Sequence, residues 1–428
     1  MADIKPFRAF RYNERLLSAA ERVTTPPYDV ISDRDQEYYY DQSPHNVIRL
    51  ILGKKFPDDT EVQNQYTRAR EFLDMWINEG ILVREESNCL YGYTQTFVTD
   101  TGVTLTRRGF VGLMKLTNWD TGTIFPHERT FSKHKTDRLN LMREVRGQLS
   151  TVFALYADTE RKTVDLVDTV VSSTKLAKFT DAKGVEHRLT RCDDTEVISS
   201  LTDLLVDLPV FIADGHHRYE TALMYRDEMD EKGASGDAHR YIMINFTPME
   251  DSGVYVLAPH RVISTPAGFD ESAFLGRAGE HFKIEEYTIQ GSDLDEFMTS
   301  MERSGKGHFG YYSGGDTAYL LSIRDTDSIM KLMPDDMHEV VKSLDVSVLR
   351  EAIIGKIMNV SLGEISYTRE LDEALGMLRS GNRVVFFINP TTIEEVRDVS
   401  MEGQLMPQKS TFFYPKVCSG LLFNLIRE

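Results

Sequence analysis

Leu208-Pro209-Val210-Phe211-Ile212-Ala213-Asp214-Gly215-His216-His217-Arg218-Tyr219-Glu220-Thr221-Ala222 decides the fold. The run 208–213 is apolar and short, as a buried strand requires. From Arg218 onward Tyr219, Ala222, Leu223 and Met229 recur at helical spacing, so residues 214–217 join a strand to a helix. A helix start has backbone N–H groups without intrahelical partners and a partial positive charge, which suits phosphate or carboxylate. Gly215 allows a ligand close to the backbone. Arg218, His216 and His217 add donors, and Asp214 either caps the helix or holds a metal such as magnesium. The bland reading makes Asp214 an N-cap and both histidines surface residues. Consecutive histidines diverge, so they make a poor metal pair, and no His-Glu-x-x-His spacing supports a zinc enzyme.

Working outward, residues 60–79 read as an amphipathic helix, with Val62, Tyr66, Ala69, Leu73, Trp76 and Ile77 on one face and Gly80 closing it. Residues 90–97 and 108–113 are rich in strand formers, and Asp100-Thr101-Gly102 between them predicts a hairpin. Pro266-Ala267-Gly268 marks a boundary. Beyond it strands and helices alternate, so the fold class is mixed α/β or α+β. The expected division is 1–265, with an inserted β-rich segment at about 89–158, and a C-terminal α/β region at 266–428 that closes or completes the site.

The chain has 428 residues, 41% hydrophobic and 27% charged, which is enough for a globular core and too long for one. Its net charge of −18 argues against nucleic acid and against anionic membrane surfaces. No apolar run of about 18 residues occurs, so no membrane span is expected. Cys89, Cys192 and Cys418 are far apart and form no Cys-x-x-Cys pair, and residues 1–6 hold no apolar signal core. A cytoplasmic protein is the expectation. The oligomeric state stays open, a homodimer included.

Two further stretches carry chemistry. Pro126-His127-Glu128 is followed by Lys133, Lys135 and Arg138, a carboxylate base with phosphate-holding cations close behind. Pro26-Pro27-Tyr28-Asp29 is a stiff loop that presents another carboxylate. Each also reads as an ordinary polar loop. His260-Arg261 and Gln408-Lys409-Ser410 are weaker candidates. No P-loop, no Gly-x-Gly-x-x-Gly dinucleotide fingerprint and no Gly-x-Ser-x-Gly nucleophile elbow is expected.

Five ordered motifs carry a family resemblance: Pro26-Pro27-Tyr28-Asp29-Val30, Pro126-His127-Glu128-Arg129-Thr130, residues 213–222, Pro259-His260-Arg261 and Met406-Pro407-Gln408-Lys409-Ser410-Thr411. Over nearly its whole length the chain resembles the prokaryotic family named domain of unknown function 1015. The turn Gly215-His216-His217-Arg218 also resembles the phosphate-binding turn of the ParB and sulfiredoxin superfamily. Within that superfamily the free-serine kinases have a similar Asp-Gly-His-His-Arg turn. The resemblance implies a ParB/sulfiredoxin-like core and a kinase that moves a phosphoryl group from ATP or ADP, with Mg²⁺, to a small hydroxyl metabolite, L-serine giving O-phosphoserine. Asp214, Gly215, His216, His217, Arg218, Lys133 and Lys135 would then hold the nucleotide, with Asp214 on magnesium. His217 and Arg218 would take part in catalysis, either Asp29 or Glu128 would be the base, and His127, Tyr28, Arg261 and Lys409 would bind the acceptor. The alternative is a non-catalytic sensor of a nucleotide or phosphometabolite. Sulfiredoxin chemistry needs a cysteine where His216 stands, and DNA-binding members have a basic region that this acidic chain lacks.

Overall fold

The hairpin read from Asp100-Thr101-Gly102 forms the centre of the larger sheet. Strands Tyr91–Val98 and Thr104–Lys115 pair antiparallel, with Thr96 opposite Thr106 and Val98 opposite Thr104. The structure, a computed structural model, describes residues 1–428 except Phe131, Gly291, Ser292, Glu364, Ser380, Asn382 and Glu428, and except the side chains of Ser132, Lys133, His134 and Asp293.

The chain forms two compact units. The first comprises Met1–Pro126, Thr130–Tyr255 and Pro415–Glu428, and the second His127–Arg129 and Val256–Tyr414. Among the described residues nine strands make the sheet of the first unit. From one edge they run Ile124–Phe125, Val210–Asp214, Val152–Tyr156, Tyr241–Pro248, Thr104–Lys115, Tyr91–Val98, Glu186–Arg191 and Thr174–Thr180, and Ile4–Lys5 also pairs with Thr104–Lys115. Val210–Asp214 runs parallel to Ile124–Phe125, and Val152–Tyr156 parallel to Tyr241–Pro248; the other pairs are antiparallel. Every residue of Tyr241–Pro248 is buried, and Ile242, Ile244 and Phe246 share one core with Leu139, Tyr219 and Ala222.

Helix His216–Glu231 packs on helix Ser132–Val145, which packs on helix Gln65–Asn78. The last begins at 65 rather than 60 because the Asn64 side chain accepts from the N–H groups of Tyr66 and Thr67. Val62 is therefore off the helix and exposed. Tyr219 anchors His216–Glu231. Its fully buried ring lies 4.7 Å from Trp119, and its hydroxyl donates to the carbonyl of Thr117 and accepts from the Thr117 N–H.

The second unit has a six-stranded sheet among the described residues, in the order Phe282–Thr288, Thr317–Ile323, His308–Tyr312, Arg383–Ile388, His260–Ser264 and Ile365–Thr368. All its pairs are antiparallel. Phe274, Phe309, Tyr311, Leu321, Ile353 and Phe386 lie in its core. The alternation of strands and helices beyond 266 thus resolves as an antiparallel sheet with helices packed on it, and the whole chain is a mixed α+β fold. Among the described residues no helix is long and apolar enough to cross a membrane.

Candidate functional site

Val210, Phe211 and Ile212 are fully buried inside the sheet, and the strand delivers Asp214 at its end. Gly215 then turns the chain at φ +97 and ψ +28 and is itself the N-cap of His216–Glu231. The Asp214 side chain makes no cap bond, which corrects the N-cap reading of that residue. Left-handed backbone is cheap only for glycine. A side chain there would also have to move Arg218, because a Cβ at 215 would stand 2.9 Å from Arg218 Nε. Arg218 has folded back over the glycine.

That folding explains where Asp214 points. Its Oδ2 accepts from Arg218 Nη2, and its Oδ1 accepts from Nζ of Lys416, 202 residues further along the chain. Arg218 also donates through Nη1 to the carbonyl of Thr151. Burial by itself would raise the Asp214 carboxyl. Lys416 and Arg218 outweigh burial, with a smaller contribution from His216, and hold it well below the usual carboxylate range. With both oxygens held by cations, Asp214 does not fit a magnesium ligand, because a divalent ion there would meet two positive charges at contact. Among the described residues no three His, Cys, Asp or Glu side chains gather as a metal site.

Arg107, fully buried on the Thr104–Lys115 strand, adds a third cation in the field of Asp214. Burial pushes it down to about 10, opposed by Tyr93, Asp251 and Asp214. It donates to Gln95 Oε1 and to the carbonyl of Pro415, and its guanidinium lies over Phe153 at 4.5 Å. Gln95 in turn donates to the carbonyl of Lys416 at 2.9 Å, and the Cys418 N–H donates to the Tyr93 hydroxyl at 3.3 Å. Three side chains of the hairpin thus grip the backbone at 415–418 and present Lys416 to Asp214. Lys416, Arg107, Gln95 and Tyr93 were not among the site residues expected from sequence. The partial signal was that Lys416 closes the segment that begins with the Met406-Pro407-Gln408-Lys409-Ser410-Thr411 motif.

The Pro26-Pro27-Tyr28-Asp29 loop comes to the same place. The Arg138 guanidinium stacks on Tyr28 at 3.9 Å and donates to the carbonyl of Ile51. Burial pushes the Tyr28 hydroxyl up to about 12, opposed by Arg138 and Arg218. Arg138, Gln148, Ser150, Arg218 and Thr221 share the wall of a cavity of about 50 Å³. Asp29 is exposed and follows Tyr28 on the short helical turn Tyr28–Val30. His216 is buried and His217 half-buried. Lys135 is engaged by Glu220 at 2.8 Å, the same carboxylate that accepts from Thr130. The Lys133 side chain lies outside the described residues.

The second unit gathers the remaining candidates by itself. His127 Nε2 is 2.9 Å from Thr411 Oγ1, and its carbonyl accepts from the Met406 N–H. Glu128 accepts from the Lys409 N–H at 3.3 Å, and the Lys409 carbonyl accepts from Arg261 at 3.4 Å. The expected absence of Gly-x-Gly-x-x-Gly spacing is corrected by one stretch. Gly305-Lys306-Gly307-His308-Phe309-Gly310 has dinucleotide-fingerprint spacing, yet it leads from helix Asp293–Ser304 into strand His308–Tyr312. The fingerprint needs the reverse order, strand into helix. Here Asp345, not a phosphate, accepts from the Gly307 N–H.

The chain belongs to the family described as protein of unknown function DUF1015, whose model matches residues 4–347. No curated protein matches it. Among solved structures it is similar to a free serine kinase in complex with AMP, at 14% identity and a TM-score of 0.33, over 71% of this chain and 86% of that one. It is also similar to SbnI with C-terminal truncation from Staphylococcus aureus, at 11% identity and a TM-score of 0.35, over 73% and 87%. A third is a conserved hypothetical protein from Pyrococcus furiosus, at 15% identity and a TM-score of 0.32, over 72% and 94%.

Proposed function

We propose that this DUF1015 member is a nucleotide-dependent kinase that transfers a phosphoryl group to a small hydroxyl substrate, free L-serine giving O-phosphoserine. One observation carries the reading. Two cationic side chains, Arg218 and Lys416, hold the two oxygens of one carboxylate, Asp214, at a helix N-terminus of an acidic chain, and a third, Arg107, lies in the field of Asp214 and Asp251. The surplus positive charge suits a polyphosphate. The helix terminus alone contributes about 0.3–2 kcal/mol. Hydrogen bonds from charged donors add about 1.5–3 kcal/mol each, so Arg218 and Lys416 would supply most of the affinity.

In this reading the bond from the terminal phosphorus to its bridging oxygen breaks, and the nucleotide leaves one phosphate shorter. The serine Oγ–P bond forms, and the hydroxyl proton passes to a carboxylate. Such transfer is mainly positioning and charge neutralisation. The helix start would orient the phosphates, with Arg218 and His217 at the transferring group. Asp214 would hold Arg218 and Lys416 in place rather than bind Mg²⁺. Asp29 and Glu128 remain the two candidates for the base, a role that contributes about 10²–10⁴-fold.

The test is phosphorus NMR of the protein with L-serine, Mg²⁺ and either ATP or ADP. O-phosphoserine is the expected product, and Asp29→Asn compared with Glu128→Gln should show a loss of at least a hundredfold in only one variant. No phosphoester with either nucleotide and any hydroxyl amino acid sinks the kinase reading. A sensor that binds without turnover is favoured by one feature, that Asp214 already neutralises part of the cradle. Calorimetry showing tight nucleotide binding with no product would select it.

A further inference from the structure

Arg261 is a buried charge with no counter-ion among the described residues. It lies on strand His260–Ser264, between Arg383–Ile388 and Ile365–Thr368, and only 4% of it is exposed. Its hydrogen-bond partners are two main-chain carbonyls, those of Pro259 and Lys409. Tyr367 offers a ring face 5.5 Å from the guanidinium carbon. The other full charge that acts on it is a second cation, Arg350. Among the described residues no carboxylate compensates it. Burial pushes Arg261 down to about 10, so it stays charged at neutral pH.

Arg107 shows the usual arrangement. It is as deeply buried, yet Asp214 and Asp251 both act on it. Buried charges in folded proteins are normally paired, because carbonyl dipoles and an aromatic face replace only part of the lost hydration. Beside Arg261 the backbone of Lys409 is left-handed, at φ +59, with its ammonium exposed and its peptide bridging two groups. Its carbonyl faces Arg261 and its N–H faces Glu128.

We propose that Arg261, with Lys409 beside it, is an oxyanion-binding site of the second unit, and that it takes the carboxylate of a small hydroxy acid or amino acid. A guanidinium fork matches a carboxylate or a phosphate in two parallel hydrogen bonds, and such an anion completes the missing charge. That the anion is the carboxylate of the phosphoryl acceptor rests on the kinase reading. The site itself does not.

The experiment is thermal unfolding and calorimetry of the full chain without nucleotide, at fixed ionic strength, with L-serine, L-serinamide and inorganic phosphate as probes. L-serine should bind and raise the melting temperature. L-serinamide, which lacks the carboxylate, should bind at least tenfold more weakly. Arg261→Met keeps the volume and removes the charge, so it should melt no lower than the wild type and lose the response to L-serine. Lys409→Gly keeps the left-handed backbone and should weaken L-serine several-fold, a readout that stands even if Arg261→Met does not fold. A response to phosphate alone keeps the oxyanion site and removes the amino-acid assignment. No response of the wild type to L-serine or phosphate overturns the proposal. So does an Arg261→Met protein that melts far lower and still binds L-serine, since Arg261 would then be a strut. Retained L-serine binding without phosphoryl transfer removes the kinase reading and leaves this site standing.

Discussion

The turn at Asp214 and the cluster at Arg261 both bury cations, and they balance them differently. At the turn, Arg218 and Lys416 are neutralised in part by a carboxylate that each of them touches. At Arg261 the contacts are two carbonyls and a ring. The first arrangement is self-supporting: its charges hold the backbone of residues 214–218 and 415–418 in place before any ligand arrives. The second is incomplete by charge. Removing a residue from the balanced site should therefore damage the fold, whereas removing the cation from the unbalanced one should not.

The largest expected effect tests that contrast directly. Asp214→Ala leaves two buried cations uncompensated and should lower the unfolding free energy by about 3–5 kcal/mol, read from urea unfolding at pH 7. The pH dependence sharpens it. Because the folded carboxyl lies well below its usual range, its stabilisation is complete above the ordinary Asp value near pH 4. It is lost as the pH falls through the lower folded value. The gap between wild type and variant should stay constant between about pH 6 and 8 and shrink below about pH 4. A gap that widens in acid would show that Asp214 is not the counter-ion of Arg218 and Lys416.

A middle-sized effect comes from Gly215→Ala. Left-handed backbone for alanine costs about 1–2 kcal/mol, and the methyl group displaces Arg218. Calorimetry with ADP should show affinity reduced about tenfold, the equivalent of 1.4 kcal/mol. Unchanged affinity would detach the turn from nucleotide binding. The smallest effect belongs to Lys135→Ala. Lys135 and Glu220 are each about a quarter exposed, and a pair of that kind contributes under about 1 kcal/mol. If Lys135→Ala nevertheless weakens ADP more than Lys416→Met does, the phosphates lie along the helix that carries Lys135 and not at the balanced turn.

The residues themselves show where sequence reading reached and where it stopped. The hairpin at Asp100-Thr101-Gly102 and the strand–turn–helix around Asp214 were legible, since turn chemistry and hydrophobic period act between residues a few positions apart. The role of Asp214 was not. Beside a helix start it looked like a cap, but Gly215 took that position by its left-handed backbone, and Arg218 and Lys416 took the carboxylate. Arg218 thus became a structural partner as well as a phosphate candidate.

By itself the sequence determined the local vocabulary of this protein: a glycine turn after a buried strand, a proline-stiffened loop and a family of ordered polar motifs. Only the tertiary structure decided which of these meet. Lys416 reaches Asp214 because Gln95, Arg107 and Tyr93 hold its backbone from the neighbouring hairpin. Arg261, on a strand between two others in the second unit, meets two carbonyls and a ring and, among the described residues, no carboxylate. Both outcomes depend on burial and on partners far apart in the chain, and a charge acquires its meaning from what is left around it once water has been removed.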